Sequence, residues 1–161
     1  NAAQTLGVDL PPLLPDGYGA PVSPPSLTIS ISHKAGLAMA LVARKVHGLV
    51  GIDFEVLGRD RSEIASKVLN PFELAEVNGL VDERRWTAVL LRFSIKEALY
   101  KALAPRLQRY IGFEEAQVSS LANGSARVEL TLKEGENPAH AEVKYEWIAD
   151  GLVATARVRW E

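Results

Sequence analysis

The chain has 161 residues and a formal net charge of −2, with 47% apolar and 24% charged residues, the make-up of one globular domain with a core. That charge speaks against a nucleic-acid partner held by bulk positive charge. No Cys occurs, which excludes disulfides, thiolate metal sites and a cysteine nucleophile, and suits a cytoplasmic protein. No apolar run approaches the roughly 20 residues a membrane span needs and no signal peptide opens the chain, so no membrane partner is expected. Asn1 at the start, with Met39 the only methionine, makes the chain read as a piece of something longer.

Residues 1–26 form a Pro/Gly-rich lead-in, with proline at 11, 12, 15, 21, 24 and 25, which bars helix and central strand and predicts an extended segment on the surface. In 27–33 Leu27, Ile29 and Ile31 alternate with Thr28, Ser30 and Ser32, the period of a half-buried strand. Lys34-Ala35-Gly36 allows a turn, 37–43 reads as a fully buried strand, and 49–55 is a third strand with Ile52 and Phe54 on one face and Asp53 and Glu55 on the other. A short helix is predicted over 59–69. A second, over 70–80, has Asn70 as its N-cap, Pro71 at the first helical position and Glu73 where a capping box wants it. A long helix follows from about Asp82 to Leu103, stopped by Pro105. From 116 onward four strand patterns, with turn signals at Asn123-Gly124 and Asp150-Gly151, predict an antiparallel meander. The fold class is α+β, an antiparallel sheet with helices collected on one side.

Two stretches carry candidate chemistry. Asp53 and Glu55, at i and i+2 on a strand, point the same way about 7 Å apart. They repel unless a cation lies between them, and oxygen ligands of this kind suit Mg²⁺. The plainer reading is a solvent-facing strand. In the long helix Glu97 falls among Trp86, Val89, Leu90, Phe93 and Tyr100, while Ile95, Ala98, Leu99 and Ala102 line the other side. A carboxylate in so buried a helix needs a partner; an i,i+4 ion pair with Lys101 is the simple candidate. Ser32 and His33 are both donors able to hold a phosphate, against a packed or turn-capping histidine. His47 with Lys34, Arg44 and Lys45 reads as a basic rim or as a solvated turn. No G-x-S-x-G, no P-loop and no G-x-G-x-x-G occurs.

The order "SISH", "GIDFE" (51–55), "FSIKEALYK" (93–101) resembles the 4′-phosphopantetheinyl transferase superfamily, in particular its Sfp/EntD-type, enterobactin-synthase-like branch. The resemblance spans about Pro21 to Glu115. It implies the fold of that family, a pseudo-twofold α+β structure whose N-terminal half is incomplete here: 27–161 would be the transferase domain, with 27–50 the remainder of the first half and 51–161 the second. It implies Asp53, Glu55 and Glu97 as ligands of Mg²⁺ (or Mn²⁺), and Ser32, His33, Lys96 and Lys101 as coenzyme A contacts. Glu97 and Lys101 would be catalytic, and Glu73 either an assistant of metal or acceptor or only the capping residue. The implied reaction moves the 4′-phosphopantetheine arm of coenzyme A to a serine of an acyl, aryl or peptidyl carrier protein, releasing 3′,5′-ADP, in a cytoplasmic monomer or a domain of a larger protein. Arg106 and Arg109 would belong to a carrier-docking surface or be solvated helix-end charges. Two rival readings are a non-catalytic docking or structural domain of a larger synthase, and a metal-dependent phosphohydrolase using the same carboxylates.

Overall fold

Two tight turns set the first and second hairpins. Ala35 and Gly36 take φ of 51° and 81°, and Asn123 and Gly124 take 50° and 73°. Such paired positive φ values make the two-residue turns that match strand twist. The first turn joins β1 (Leu27–Lys34) to β2 (Leu37–Arg44), paired from Leu27↔Arg44 to Lys34↔Leu37. The other joins β4 (Ala116–Ala122) to β5 (Ser125–Leu130). The structure, a computed structural model, describes residues 2–10, 12–17, 19–149 and 151–160. Pro11 of the lead-in and Asp150 of the last predicted turn lie outside the described residues; β6 (His140–Ile148) meets β7 (Gly151–Arg159) at Ile148↔Gly151.

Strands β4 to β7 form the predicted meander. The chain adds β3 (Leu49–Glu55) beside β7, giving a five-stranded antiparallel sheet ordered β3-β7-β6-β5-β4. Short α1 (Ala65–Val68) continues a 3-10 turn at Ser62–Ile64. Helix α2 (Pro71–Asn78) starts as predicted: Asn70 Oδ1 accepts from the Glu73 N–H at 3.0 Å and Glu73 Oε2 accepts from the Asn70 N–H at 2.8 Å. The long helix α3 (Asp82–Leu107) lies against one face of the sheet. Both of its sides are buried, with Val89, Ile95, Ala98, Leu99 and Ala102 at 0% exposure, as the sequence led one to expect. Pro105 does not stop it. The last turn continues because Leu107 packs on the core and the Arg106 guanidinium lies 4.8 Å from the Trp160 ring centre. Gln108, in left-handed conformation at φ 48°, ends the helix.

Strands β1 and β2 form a separate two-stranded sheet lying against β3. Here two expectations are corrected. Strand β2 is exposed or half-buried rather than fully buried, because it is the outer strand of that pair. In β1 the polar residues are not the solvent side: Thr28, Ser30 and Ser32 are buried, while Ile31 is exposed. The hydroxyls of Thr28, Ser30 and Ser32 accept from the backbone N–H groups of Val50, Ile52 and Phe54 at 3.2, 3.0 and 3.0 Å. Thus β1 covers the outer edge of β3 with a row of side chains rather than with a backbone ladder, and satisfies donors that burial would otherwise orphan. The opposite face of the hairpin (Ile29, Ile31, Ala40, Val42) and the lead-in residues Ala2, Ala3, Leu10, Pro12 and Leu13 line one shared cavity, and the Ser23 hydroxyl of the lead-in accepts from the Ile29 N–H at 3.1 Å. The lead-in therefore packs on the surface as expected, beginning with a 3-10 turn at Gln4–Leu6.

Candidate active site

Gly51 explains why the site sits where it does. Its face of β3, shared by Asp53 and Glu55, pairs with Ala156, Ala154 and Leu152 of β7 and is pressed onto α3. A Cβ on Gly51 would lie 1.8 Å from the Ala98 carbonyl oxygen of α3, so only glycine permits this approach. The carboxylates of β3 are consequently buried, Asp53 at 4% and Glu55 at 9% exposure. The solvent-facing reading of this strand is set aside.

Asp53 is held from three directions. Ser94 Oγ, fully buried on α3, donates to Oδ2 at 2.9 Å. Ser32 Oγ, from β1, donates to Oδ1 at 3.3 Å while accepting from the Phe54 N–H. Lys101 Nζ, from α3, donates to Oδ1 at 2.8 Å and to the Ile52 carbonyl at 3.0 Å. Lys34 of β1 pairs with Glu55. Glu97, half-buried on α3, has its carboxyl pushed up from the ordinary value by burial first, then by the negative charge of Asp53, with Glu55 adding to it and Lys101 and Lys34 opposing. So Lys101 pairs with Asp53 and not, as the simple i,i+4 reading held, with Glu97.

The structure thus brings together Asp53, Glu55, Glu97, Lys101 and Ser32. It does not bring Lys96 or His33 to them. Lys96 is 0% exposed, and its Nζ donates to Glu73 Oε2 at 2.7 Å and to the carbonyls of Val68 and Phe113 at 2.9 Å each; all three of its donors are used. Its pKa is lowered, by burial above all, with Glu73 opposing. Glu73 serves the capping box and that pair. His33 alternates with Ser32 along β1, so it points to the opposite face, and it is exposed. Sequence reasoning missed Ser94, whose one-turn spacing before Glu97 was the available signal, and saw Lys34 only as a rim charge. Arg109 is no free surface charge either: it holds Glu115 and Glu136 at 2.6 and 2.5 Å.

Among the described residues no group of three or more His, Cys, Asp or Glu is gathered closely enough to hold a metal ion. The donor set nevertheless fits a hard divalent cation in kind: three carboxylates, that of Glu97 raised by burial first and by the charges of Asp53 and Glu55 after it, with two ammonium groups supplying positive charge.

Residues 49–156 match the description "4'-phosphopantetheinyl transferase superfamily", and the chain belongs to that family. The resemblance read from the order of the three motifs is borne out. Relatives include the 4'-phosphopantetheinyl transferase PptT of Mycobacterium tuberculosis, 29% identical over 98% of this chain and 73% of its own length. Others are enterobactin synthase component D of Salmonella austin, 29% identical over 87% of this chain and 60% of its own, and the transferase Svp of Streptomyces mobaraensis, 34% identical over 71% and 47%. The chain spans only about half to three quarters of these relatives' lengths. The fold is that of holo-[acyl-carrier-protein] synthases: the Thermotoga maritima structure matches with a TM-score of 0.58 at 24% identity, covering 71% of this chain and 64% of that one. The Bacillus anthracis structure, described as in complex with CoA (3',5'-ADP), matches with a TM-score of 0.58 at 20% identity, covering 71% and 97%. No helix among the described residues is long and apolar enough to cross a membrane.

Proposed function

We propose that this chain transfers the 4′-phosphopantetheine arm of coenzyme A to a serine of an acyl, aryl or peptidyl carrier protein. The single observation that carries the reading is Asp53, oriented by Ser94, Ser32 and Lys101 at the Gly51 contact of β3 with α3, in a chain of this family. Residues 27–50 are read as the remainder of a first half and 51–161 as a second; the division between the two-stranded and five-stranded sheets supports that boundary. The setting is read as cytoplasmic.

In the reaction the serine oxygen attacks the β-phosphorus of coenzyme A, the new P–O bond forms, and the bond to 3′,5′-ADP breaks. Mg²⁺ (or Mn²⁺), held by Asp53, Glu55 and Glu97, would supply charge neutralisation for the diphosphate. Lys101 and Lys34 bring fixed positive charge to the same place, where it favours the charge-rich transition state. Glu97 takes the serine proton, directly or through water; a cation beside it would keep the carboxylate ionised and weaken it as a base, which favours the route through water. Ser32 acts by orienting Asp53, and the exposed His33 is left to meet the 3′-phosphoadenosine end. Lys96, with every donor engaged inside the protein, is removed from the list of phosphate contacts.

A non-catalytic docking domain has one observation in its favour: Lys101 and Lys34 already occupy two of the three carboxylates. Metal-titrated transfer assays on wild type, Asp53→Asn, Glu55→Gln and Glu97→Gln separate the two. Activity that rises with Mg²⁺ in wild type and is lost in all three variants supports the transferase. Variants that keep wild-type rates would sink the assignment of the site.

A further inference from the structure

The residues next to the site in sequence form a second polar cluster on the other side of α3. Lys96 and Glu73 are an ion pair at 0% and 1% side-chain exposure. Lys96 adds the carbonyls of Val68 and Phe113. Glu73 Oε1 accepts from the Val118 N–H at 2.7 Å, and its Oε2 accepts from the Asn70 N–H. One pair therefore ties the end of α1, the start of α2, the 3-10 turn at Phe113–Glu115 and strand β4 to a single point on α3. Apolar packing alone would not need it, since a buried ion pair replaced by well-packed apolar residues is often no less stable. What five directional hydrogen bonds add is position. Lys96 directly precedes Glu97, and Lys101 lies five residues on, bonded to Asp53 and to the Ile52 carbonyl. Residues on a helix are 100° apart, so pinning Lys96 on one side fixes where Glu97 and Lys101 emerge on the other.

We infer that Lys96 and Glu73 are positioning residues: they set the rotation and axial register of α3 against β3, so that Glu97 and Lys101 arrive at Asp53. The use made of that geometry rests on the transferase reading; the geometry itself does not, and the test is chosen accordingly.

The background variant is Glu73→Leu with Lys96→Met in the full chain, an apolar pair of similar volume. Into wild type and into this background go Asp53→Asn, Lys101→Met and both together, and thermal unfolding gives the coupling between the two positions. The inference expects a measurable coupling in wild type that vanishes in the apolar-pair background, although that background still unfolds cooperatively. A purely structural role for the pair predicts the same coupling in both backgrounds and overturns the inference. So does an absence of coupling in wild type. If the apolar pair does not fold, Glu73→Gln, which keeps the shape and removes the charge, carries the same cycle; a reduced coupling supports the inference and an undiminished one overturns it. In transfer assays run well below the unfolding temperature, the background variant should lose at least tenfold in kcat with KM for coenzyme A little changed. Should wild type itself transfer nothing, the transferase reading fails while the coupling result still decides the positioning role.

Discussion

Replacing Gly51 by alanine should disable the site from behind. The added Cβ would stand 1.8 Å from the Ala98 oxygen, 2.7 Å from the Ala102 nitrogen and 2.9 Å from the Ala98 carbonyl carbon. All three are backbone atoms, so no rotamer change relieves the clash. The shortest ordinary carbon–oxygen contacts are about 3.3 Å, so α3 must withdraw from β3 by about 1.5 Å, or the strand must bulge by as much. Overpacking of this kind costs about 1–3 kcal/mol. At about 2–4 °C per kcal/mol for a protein of this size, Tm should fall by about 2–12 °C. The larger effect is on chemistry. The same displacement carries Lys101, Ser94 and Glu97 away from Asp53, and a misplacement of about 1 Å costs about 100-fold in rate. Circular-dichroism melts give the stability, and carrier-protein mass shift over time gives the rate at a temperature where the variant is folded. A Gly51→Ala protein with unchanged Tm and wild-type rate would refute the claim that this contact assembles the site.

Ser30→Ala should strip the buried Ile52 N–H of its acceptor and destabilise by about 1–3 kcal/mol, visible as a lower Tm; no change would mean that the hydroxyl row does not hold β1 to β3. Lys101→Met should cut transfer at least about 100-fold at a temperature where the variant is folded, and should cost about 1–3 kcal/mol, because the buried Asp53 carboxylate loses its ammonium partner while keeping Ser94 and Ser32; gross unfolding in the far-UV spectrum would instead make Lys101 a structural residue. Arg109→Met gives a pH test. Hydrogen bonds from Arg109 hold the Glu115 and Glu136 carboxyls below their usual 4.5. A lowered folded pKa contributes stability that is present above 4.5 and lost as pH falls through the folded values. The variant's Tm deficit should therefore be full at neutral pH and shrink as pH drops below 4.5; a deficit constant across that range contradicts the network.

The elements were largely readable because each obeys a local rule. Asn70, Pro71 and Glu73 spell a helix start, Asn123-Gly124 spells a turn, and both apolar sides of α3 report a buried helix. The family was readable because Asp53, Glu55, Glu97 and Lys101 sit in two compact motifs. What escaped depends on what faces a residue. Alternating Thr28, Ser30 and Ser32 have one and the same pattern whether the hydroxyls meet water or the edge of another strand, and the usual assumption picked water. Lys96 and Lys101 look alike in sequence, yet one helix face meets Glu73 and the other Asp53. Pro105 was read as a stop because the anchoring of the last turn by Leu107 and Trp160 comes from distant parts of the chain.

The most direct test of the account is the intact mass of an apo carrier protein after incubation with this chain, coenzyme A and Mg²⁺, beside an EDTA control. The account predicts a gain of one phosphopantetheine arm that disappears with EDTA. An unchanged carrier mass, with the chain folded and coenzyme A and Mg²⁺ saturating, would contradict it.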